Sequence, residues 1–212
     1  MGSRPLTTFY PVSLDLGGRA CLVVGGGPVA ARKASGLLGC GATVTVIAPD
    51  VCAAMAELEP LTIERRPYAA GDARAYRLVV TATGLHAVDG AVYADADAAG
   101  VWVNSADDVE HCSFILPSVH RDGHVTVAVS TGGQSPALAS WLRARLAEQG
   151  GTGLGALAEL LGQARQSVQN AGRSTELVDW AGLLDGALLE LVHAGRFDEA
   201  RALVEAATGT RL

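Results

Sequence analysis

Apolar runs and amphipathic stretches alternate along the first hundred residues. The apolar runs predict strands at 19–24, 43–47, 62–65, 78–82 and 101–104. The stretches between them predict helices at 29–39, 52–58 and 88–99. Strands that alternate with helices at this spacing are typical of a parallel sheet with right-handed crossovers. The pattern therefore predicts an α/β fold with a Rossmann-like, doubly wound parallel sheet.

The pattern changes after Asn104. Two apolar runs, 114–119 and 124–130, predict a hairpin because the turn residues at 121–123 separate them. An amphipathic helix is predicted at 137–149, and the sequence beyond it predicts only helices, at 154–169, 175–191 and 198–207. We therefore expect three parts: a sheet domain at 1–112, a small hairpin region with one helix at 113–149, and a helical C-terminal domain at 150–212.

Charge and cysteine usage exclude several classes of protein. The 212 residues carry a net charge of -6 and 49% are hydrophobic, which argues against a nucleic-acid surface and against disorder. The four cysteines, Cys21, Cys40, Cys52 and Cys112, form no CxxC pair, so neither a zinc knuckle nor a disulfide scaffold is predicted. The sequence shows no signal-peptide pattern and no apolar run long enough to span a membrane. We expect a cytoplasmic protein.

Three consecutive glycines follow the first predicted strand. The run GGGPVA at 25–30 fits the pattern GxGxxA between a strand and a helix. Gly25 permits a tight turn, Gly27 lets the backbone approach a pyrophosphate, and the small Ala30 lets the helix pack closely on the strand. The helix N-terminus supplies N–H groups and the positive end of a dipole. The motif therefore predicts a site for a NAD-type dinucleotide.

Polar residues follow two further strands. Asp50 follows the second strand, where such folds bind the adenosine ribose, and its carboxylate favours NAD over NADP because it repels a 2′-phosphate. A solvated turn aspartate fits the pattern equally well. The run TATG at 81–84 ends the next strand of the predicted core and is expected to cross the dinucleotide. The alternative is an ordinary strand-to-helix loop.

The run NSADD at 104–108 ends the fifth predicted strand. Open α/β sheets bind their ligands at this edge, and an aspartate there can accept a proton while a hydride leaves a substrate, or escort a metal ion. From the pattern alone, carboxylates that are solvated or that cap a helix are the favoured alternative.

Basic residues in and after the hairpin allow two interpretations. His120 and His124 flank a turn and lack the helical spacing of metal ligands, so we interpret them as hairpin residues. Arg121, Arg143 and Arg145, with or without His124, form a basic patch for an acidic ligand, or they belong to a solvated helix face.

Three longer runs resemble a known family. They are YPVSLDLGGRACLVVGGGPVAARKASGLL, VNSADDVEHCSFILPSV and VTVAVSTGGQSPALASWLR. In order and spacing they look like the precorrin-2 dehydrogenase and sirohydrochlorin ferrochelatase family, the N-terminal module of sirohaem synthases. The resemblance implies NAD-dependent oxidation of precorrin-2, a polycarboxylate tetrapyrrole, to sirohydrochlorin. In members that have both activities, Fe²⁺ is then inserted as a substrate.

The resemblance also implies roles for individual residues. Asp107 matches the aspartate of the family's Asn-x-x-Asp loop and is the expected catalytic residue, whereas no resident metal is implied. Gly84 departs from the family pattern, in which many members carry an acidic residue. Residues implied to border the dinucleotide are Gly27, Pro28, Val29, Pro49, Asp50, Thr83 and Gly84, with Asn104 near the nicotinamide. Substrate contacts are expected in the TGGQSP loop, at Ser130, Thr131, Gly132 and Ser135.

Two alternatives to this function stay open on the sequence. The chain is either a dehydrogenase without the chelatase activity, or a NAD-sensing regulatory module without catalysis, since a fold alone never fixes a function. A sensor predicts that Asp107→Asn leaves its activity intact, whereas a dehydrogenase predicts loss of turnover with NAD binding kept. The family further implies a homodimer formed through the hairpin region, for which an apolar hairpin is suited.

Overall fold

A computed structural model of the chain describes residues 9–106 and 108–212. These residues form two compact units that divide between Leu116 and Pro117. The first unit contains the sheet, and the second contains the hairpin and the C-terminal helices. The division into three parts, with boundaries at 112 and 149, stays a prediction. No helix within the described ranges is long and apolar enough to cross a membrane.

The sheet of the first unit is fully parallel. Its strands lie in the order β3-β2-β1-β4-β5, which confirms the predicted doubly wound α/β fold. The order reverses between β1 and β4, and open α/β sheets bind ligands outside the carboxyl ends of their strands at such a switch point. The strands are β1 (Ala20–Val24), β2 (Thr43–Ile47), β3 (Leu61–Glu64), β4 (Leu78–Thr81) and β5 (Trp102–Ser105).

Helices give this sheet a hydrophobic core on each face. Side chains alternate along β1, so that Cys21 and Val23 join the core shared with the first helix, whereas Leu22 and Val24 join the core shared with the third. The second helix is shorter than the one predicted at 52–58. Pro60 disfavours the α conformation of the residue before it and so keeps the chain from continuing that helix. The helices are α1 (Pro28–Leu38), α2 (Ala53–Ala56) and α3 (His86–Ala98).

The second unit begins with the predicted antiparallel hairpin. Its strands are β6 (Ser118–Asp122) and β7 (Val125–Val129), and Gly123 turns the chain between them with a φ of 52°. That conformation favours glycine. The helix α4 (Pro136–Gly150) packs against both strands.

The first hairpin strand does not begin where the sequence predicts. It was expected at 114–119, and that range is wrong because the strand begins at Ser118. The residues before it are held by β5 instead: the Ser113 N–H donates to the Val103 carbonyl at 2.8 Å, and Asn104 forms a bridge with Cys112.

The C-terminal helices enclose a hydrophobic core of their own. It includes Leu160, Leu188 and Val204, all buried. The single helix predicted at 175–191 is wrong because the chain is interrupted twice. Asp179 accepts a hydrogen bond from the Gly182 N–H at 2.9 Å and starts a new helix, which Gly186 then ends. The helices are α5 (Leu154–Asn170), α6 (Trp180–Asp185), α7 (Ala187–His193) and α8 (Phe197–Thr208).

Candidate functional site

The glycine run forms a tight turn between β1 and α1. Gly25 has a φ of 121°, and its N–H donates to the Ile47 carbonyl at 3.0 Å. A Cβ added to Gly25 would lie 2.5 Å from the Ala82 carbonyl oxygen. Both facts require glycine. The turn therefore packs tightly between the carboxyl ends of β2 and β4.

Gly26 is a second glycine that packing requires, and the sequence pattern missed it. The GxGxxA motif leaves this position free, yet a Cβ here would lie 1.9 Å from the Asp50 carbonyl oxygen. The Gly26 carbonyl also accepts a hydrogen bond from the Cys52 N–H at 2.8 Å. The segment after β2 therefore lies directly on the turn. The unbroken run of three glycines, in which Gly26 is the middle one, was the available signal.

Gly27 differs from its two neighbours because it faces open space. A Cβ added there would have no heavy atom within 4 Å. Gly27 precedes α1, no side chain caps it, and Pro28 occupies the first helical turn. The first N–H groups of a helix have no acceptor within the helix, and this first turn contains no acidic residue. Fully buried Ala30 lets α1 lie close to the sheet. This arrangement fits a pyrophosphate at the helix N-terminus.

Two predicted cofactor residues, Pro49 and Asp50, are exposed just beyond β2. The Asp50 backbone touches the glycine turn, as the approach to Gly26 shows. Asp50 thus lies beside the glycine turn and just beyond β2, where this type of fold binds the ribose. Its contact with a ribose stays a prediction.

The loop between β4 and α3 is held by a carboxylate that the sequence analysis did not single out. Asp89, in the first turn of α3, is 7% exposed. Its Oδ1 accepts hydrogen bonds from the Thr81 hydroxyl, from the Thr83 N–H at 3.2 Å and from the Thr83 hydroxyl at 2.9 Å. The Thr83 hydroxyl is therefore used within the loop, and Gly84 follows it with a φ of 72°.

Asn104 is a buried residue of β5, one position before the end of the strand. Its Nδ2 donates to the Phe114 carbonyl at 3.1 Å and to the Cys112 sulfur at 3.4 Å, which fixes the side-chain amide. Two buried oxygens, Asn104 Oδ1 and Ser105 Oγ, have no hydrogen-bond partner within the described part of the chain. A buried polar atom without a partner is costly, so these oxygens are suited to a bound polar group.

Cys112 closes the loop that follows β5. Its sulfur accepts a hydrogen bond from the Ser105 N–H at 3.2 Å and lies 3.1 Å from the Asp108 carbonyl oxygen, to which the thiol donates. Burial raises the pKa of the Cys112 thiol, so the protonated donor form is favoured. The expected catalytic residue, Asp107, lies within this loop but outside the described residues.

Asp108 and His111 form a close pair in the same loop. Asp108 Oδ2 is 2.6 Å from His111 Nδ1, and the hydrogen bond from His111 lowers the pKa of Asp108. The Tyr93 ring meets the His111 ring edge-on, with 5.1 Å between centroids. Sequence reasoning named Asp108 as one of two adjacent carboxylates but missed its partner His111. Their spacing of three residues was the only signal.

The predicted substrate loop lies in the second unit and is held by its own hydroxyls. Ser130 Oγ accepts from the Gly132 N–H at 3.2 Å, and Thr131 Oγ1 accepts from the Ser135 N–H at 3.0 Å. Ser135 Oγ caps α4 by accepting from the Leu138 N–H at 3.2 Å. Each hydroxyl thus has a structural partner, and the substrate contacts stay predictions.

Two of the basic residues of the second unit, His124 and Arg145, are exposed and lie near carboxylates. Arg145 lies 5.5 Å from the centre of the Trp141 ring and 3.5 Å from Glu148. His124 is exposed beside the turn, as the hairpin interpretation expects. In the ranges that the structure describes, no group of three or more His, Cys, Asp or Glu residues is arranged to hold a metal ion.

Two family models match the chain. Residues 12–118, about half of its length, match the model described as putative NAD(P)-binding. Residues 122–149 match the model described as sirohaem biosynthesis protein central. The first match covers the sheet with the glycine turn, and the second covers most of the hairpin together with α4.

Curated relatives and a solved structure agree with these models. The siroheme synthase of Thioalkalivibrio sulfidiphilus is 41% identical over 96% of this chain and 43% of its own length. That of Nitrosococcus oceani is 37% identical over 94% of this chain and 44% of its own length. The chain therefore spans less than half the length of these relatives.

A solved structure of SirC, precorrin-2 dehydrogenase, superposes with a TM-score of 0.72 at 26% identity. The match covers 95% of this chain and 100% of that one. The resemblance to the sirohaem synthase module is thereby confirmed, and the chain belongs to the putative NAD(P)-binding family.

Proposed function

We propose that this chain oxidises precorrin-2 to sirohydrochlorin, with NAD as the hydride acceptor. The observation that carries the proposal is the match along 95% of the chain to a precorrin-2 dehydrogenase structure. The siroheme synthases among the relatives support a role of this reaction in sirohaem synthesis. The glycine turn fits the dinucleotide that such a reaction requires.

The residues present fit a dinucleotide. The open side of Gly27 leaves room for the pyrophosphate, next to helix N–H groups that lack acceptors. Asp50, with Pro49 beside it, lies near enough to the turn to hold the ribose hydroxyls, which favours NAD over NADP. Asn104 is assigned to the nicotinamide end because its buried Oδ1 is an unused acceptor. Bound NAD supplies a hydride acceptor.

The protein must provide a proton acceptor in addition to the dinucleotide. Oxidation of precorrin-2 removes a hydride and a proton, and the proton requires a base near the reacting carbon. We assign that role to Asp107, which the family resemblance implies. Its loop is supported by the Cys112 thiol and by the pair of Asp108 with His111.

Three further features extend the proposal. Iron insertion into sirohydrochlorin, with Fe²⁺ as the second substrate, is assigned to the same aspartate.

A homodimer through the hairpin region is supported by the exposed apolar side chains of Leu138 and Trp141 on the adjoining α4. Sedimentation velocity measures the oligomeric state. A cytoplasmic location is consistent with four cysteines that form no disulfide.

An anaerobic assay tests the proposed reaction. The purified chain is mixed with NAD and enzymatically generated precorrin-2, and NADH formation is followed by absorbance. We expect NADH and sirohydrochlorin in equal amounts, and no reaction when either NAD or the protein is omitted. Binding of NADH without any turnover would contradict the dehydrogenase and favour the sensor.

Ferrous iron added afterwards separates the two remaining functions. Sirohaem formation faster than in a protein-free control supports the chelatase. A rate equal to the control, in a preparation that has just produced NADH, limits the chain to the dehydrogenase.

A further inference from the structure

Asp89 accepts several hydrogen bonds inside the first unit. One of its oxygens, Oδ1, accepts from the Thr81 hydroxyl and from both the N–H and the hydroxyl of Thr83. The side chain is nearly inaccessible at 7% exposure, and Thr81 is fully buried. A carboxylate is an acceptor only, so it orients every donor that it meets. Asp89 thus fixes the end of β4 relative to the first turn of α3.

The segment that Asp89 fixes is in contact with the glycine turn. Ala82 lies between the two threonines, and its carbonyl oxygen is the atom that a Cβ on Gly25 would approach to 2.5 Å. The Ala82 N–H also donates to the Val24 carbonyl at 2.8 Å. A shift of the segment 81–83 would therefore move one wall of the turn that precedes Gly27.

The same helix carries a second carboxylate that serves for comparison. Asp95 accepts from the Tyr68 hydroxyl at 2.5 Å and from the Gly71 N–H at 2.7 Å. It resembles Asp89 in its helix and in its type of donors, and its side chain is only 12% exposed. The segment it holds, however, leads into the amino end of β4, at the edge of the sheet opposite to the glycine turn.

We propose that Asp89 is a positioning residue of the dinucleotide site, which it shapes by holding the segment 81–83 against the glycine turn. The proposal rests on the dinucleotide binding proposed above. Asp89 acts through the backbone of Ala82 and Thr83 and need not touch the ligand. Its loss should therefore weaken NADH binding more than it slows turnover at saturating NAD.

Direct titration of NADH, followed by its fluorescence, tests this inference without the tetrapyrrole. For Asp89→Ala we expect the Kd for NADH to rise about tenfold, since hydrogen bonds to a charged acceptor are lost. Asp89→Asn keeps an accepting oxygen and should largely restore the affinity. Asp95→Ala is the matched control, with a similar fall in Tm and an unchanged Kd. In the assay of NADH formation, KM for NAD should rise in Asp89→Ala while kcat changes little.

The outcomes distinguish failure of the positioning role of Asp89 from failure of the proposed dinucleotide binding. If the wild type binds NADH, and Asp89→Ala binds it equally well while its Tm falls as in Asp95→Ala, Asp89 is only a structural residue and the inference is wrong. If the wild type itself fails to bind NADH, the proposed function fails and the inference fails with it. Should Asp89→Ala not fold, Thr81→Val removes one donor at nearly constant volume. An unchanged Kd in that variant would overturn the inference, and a rise of about threefold would support it.

Discussion

At the scale of single residues, the three glycines of the turn differ in the space that is available for a Cβ. At Gly25 a Cβ would lie 2.5 Å from a backbone oxygen, and at Gly26 it would lie 1.9 Å from another. At Gly27 it would meet no heavy atom within 4 Å. The first two glycines are therefore required by packing, whereas the third is required only if a ligand occupies the open space.

Alanine substitutions separate these two roles. Gly26→Ala should lower the free energy of unfolding by roughly 1–3 kcal/mol, because the backbone of Asp50 has to move. Gly27→Ala should leave the Tm nearly unchanged and weaken NADH binding about tenfold, since its methyl group intrudes on the pyrophosphate. Thermal unfolding and NADH titration measure the two effects. Equal affinity in Gly27→Ala and the wild type would argue against a pyrophosphate at this helix.

The pair of Asp108 and His111 predicts a pH dependence of stability. The hydrogen bond from His111 lowers the pKa of Asp108 in the folded state. A carboxyl group shifted in this direction contributes stability above its unfolded pKa of about 3.9, and the contribution is lost as the pH falls through the folded pKa. The wild type should therefore exceed His111→Ala by about 1 kcal/mol at near-neutral pH.

Denaturant titrations at several pH values measure that difference. It should shrink as the pH falls below about 4, as Asp108 becomes protonated. A difference that persists unchanged into that range would show that His111 stabilises the fold by other contacts, such as the edge-on contact with Tyr93.

The sequence predicted some of these residues and missed others for a physical reason. Gly25 was predicted because its turn is a local feature of a strand followed by a helix. Gly26 was missed because its importance depends on Asp50, which approaches it only when β1 and β2 have paired. Asp89 was missed although Thr81 and Thr83 are near it in sequence, because the pattern predicts the helix and not the side-chain hydrogen bonds of its first turn.

At the scale of elements, the strands of the parallel sheet follow the sequence prediction closely. Each is a short apolar run between turn residues, so that local composition is sufficient. The interruption of the predicted helix 175–191 depends instead on Asp179 as a cap and on Gly186 as a break. The displaced start of β6 depends on pairing of the preceding residues with β5. Hydrophobic periodicity does not predict which backbone groups pair with each other or which side chain caps a helix.

Ser135 allows a test at this scale, because it is both a predicted substrate residue and the cap of α4. Ser135→Ala should cost about 1 kcal/mol of stability by loss of the cap. Ser135→Asn should restore the stability, since asparagine is an equally good cap. If turnover also recovers in Ser135→Asn, the hydroxyl itself is not needed for the substrate. Turnover that stays low at restored stability supports the substrate contact.

At the scale of the whole molecule, the predicted site residues are divided between the two units. The sheet unit holds the glycine turn, Asn104 and the loop around Asp107, and it matches the NAD(P)-binding family. The second unit holds the TGGQSP loop and lies within the match to the sirohaem biosynthesis family only at 122–149. We propose that the reaction takes place at the loop that follows β5, because the expected base Asp107 belongs to it.

The most direct test compares two adjacent carboxylates of that loop. Asp107→Asn should reduce the rate of NADH formation from precorrin-2 by about 10²-fold or more, as loss of a general base does, while the Kd for NADH is kept. Asp108→Asn, the matched control, keeps an oxygen that can accept the hydrogen bond from His111 and should retain most of the turnover. Turnover in Asp107→Asn equal to that of the wild type would contradict the account.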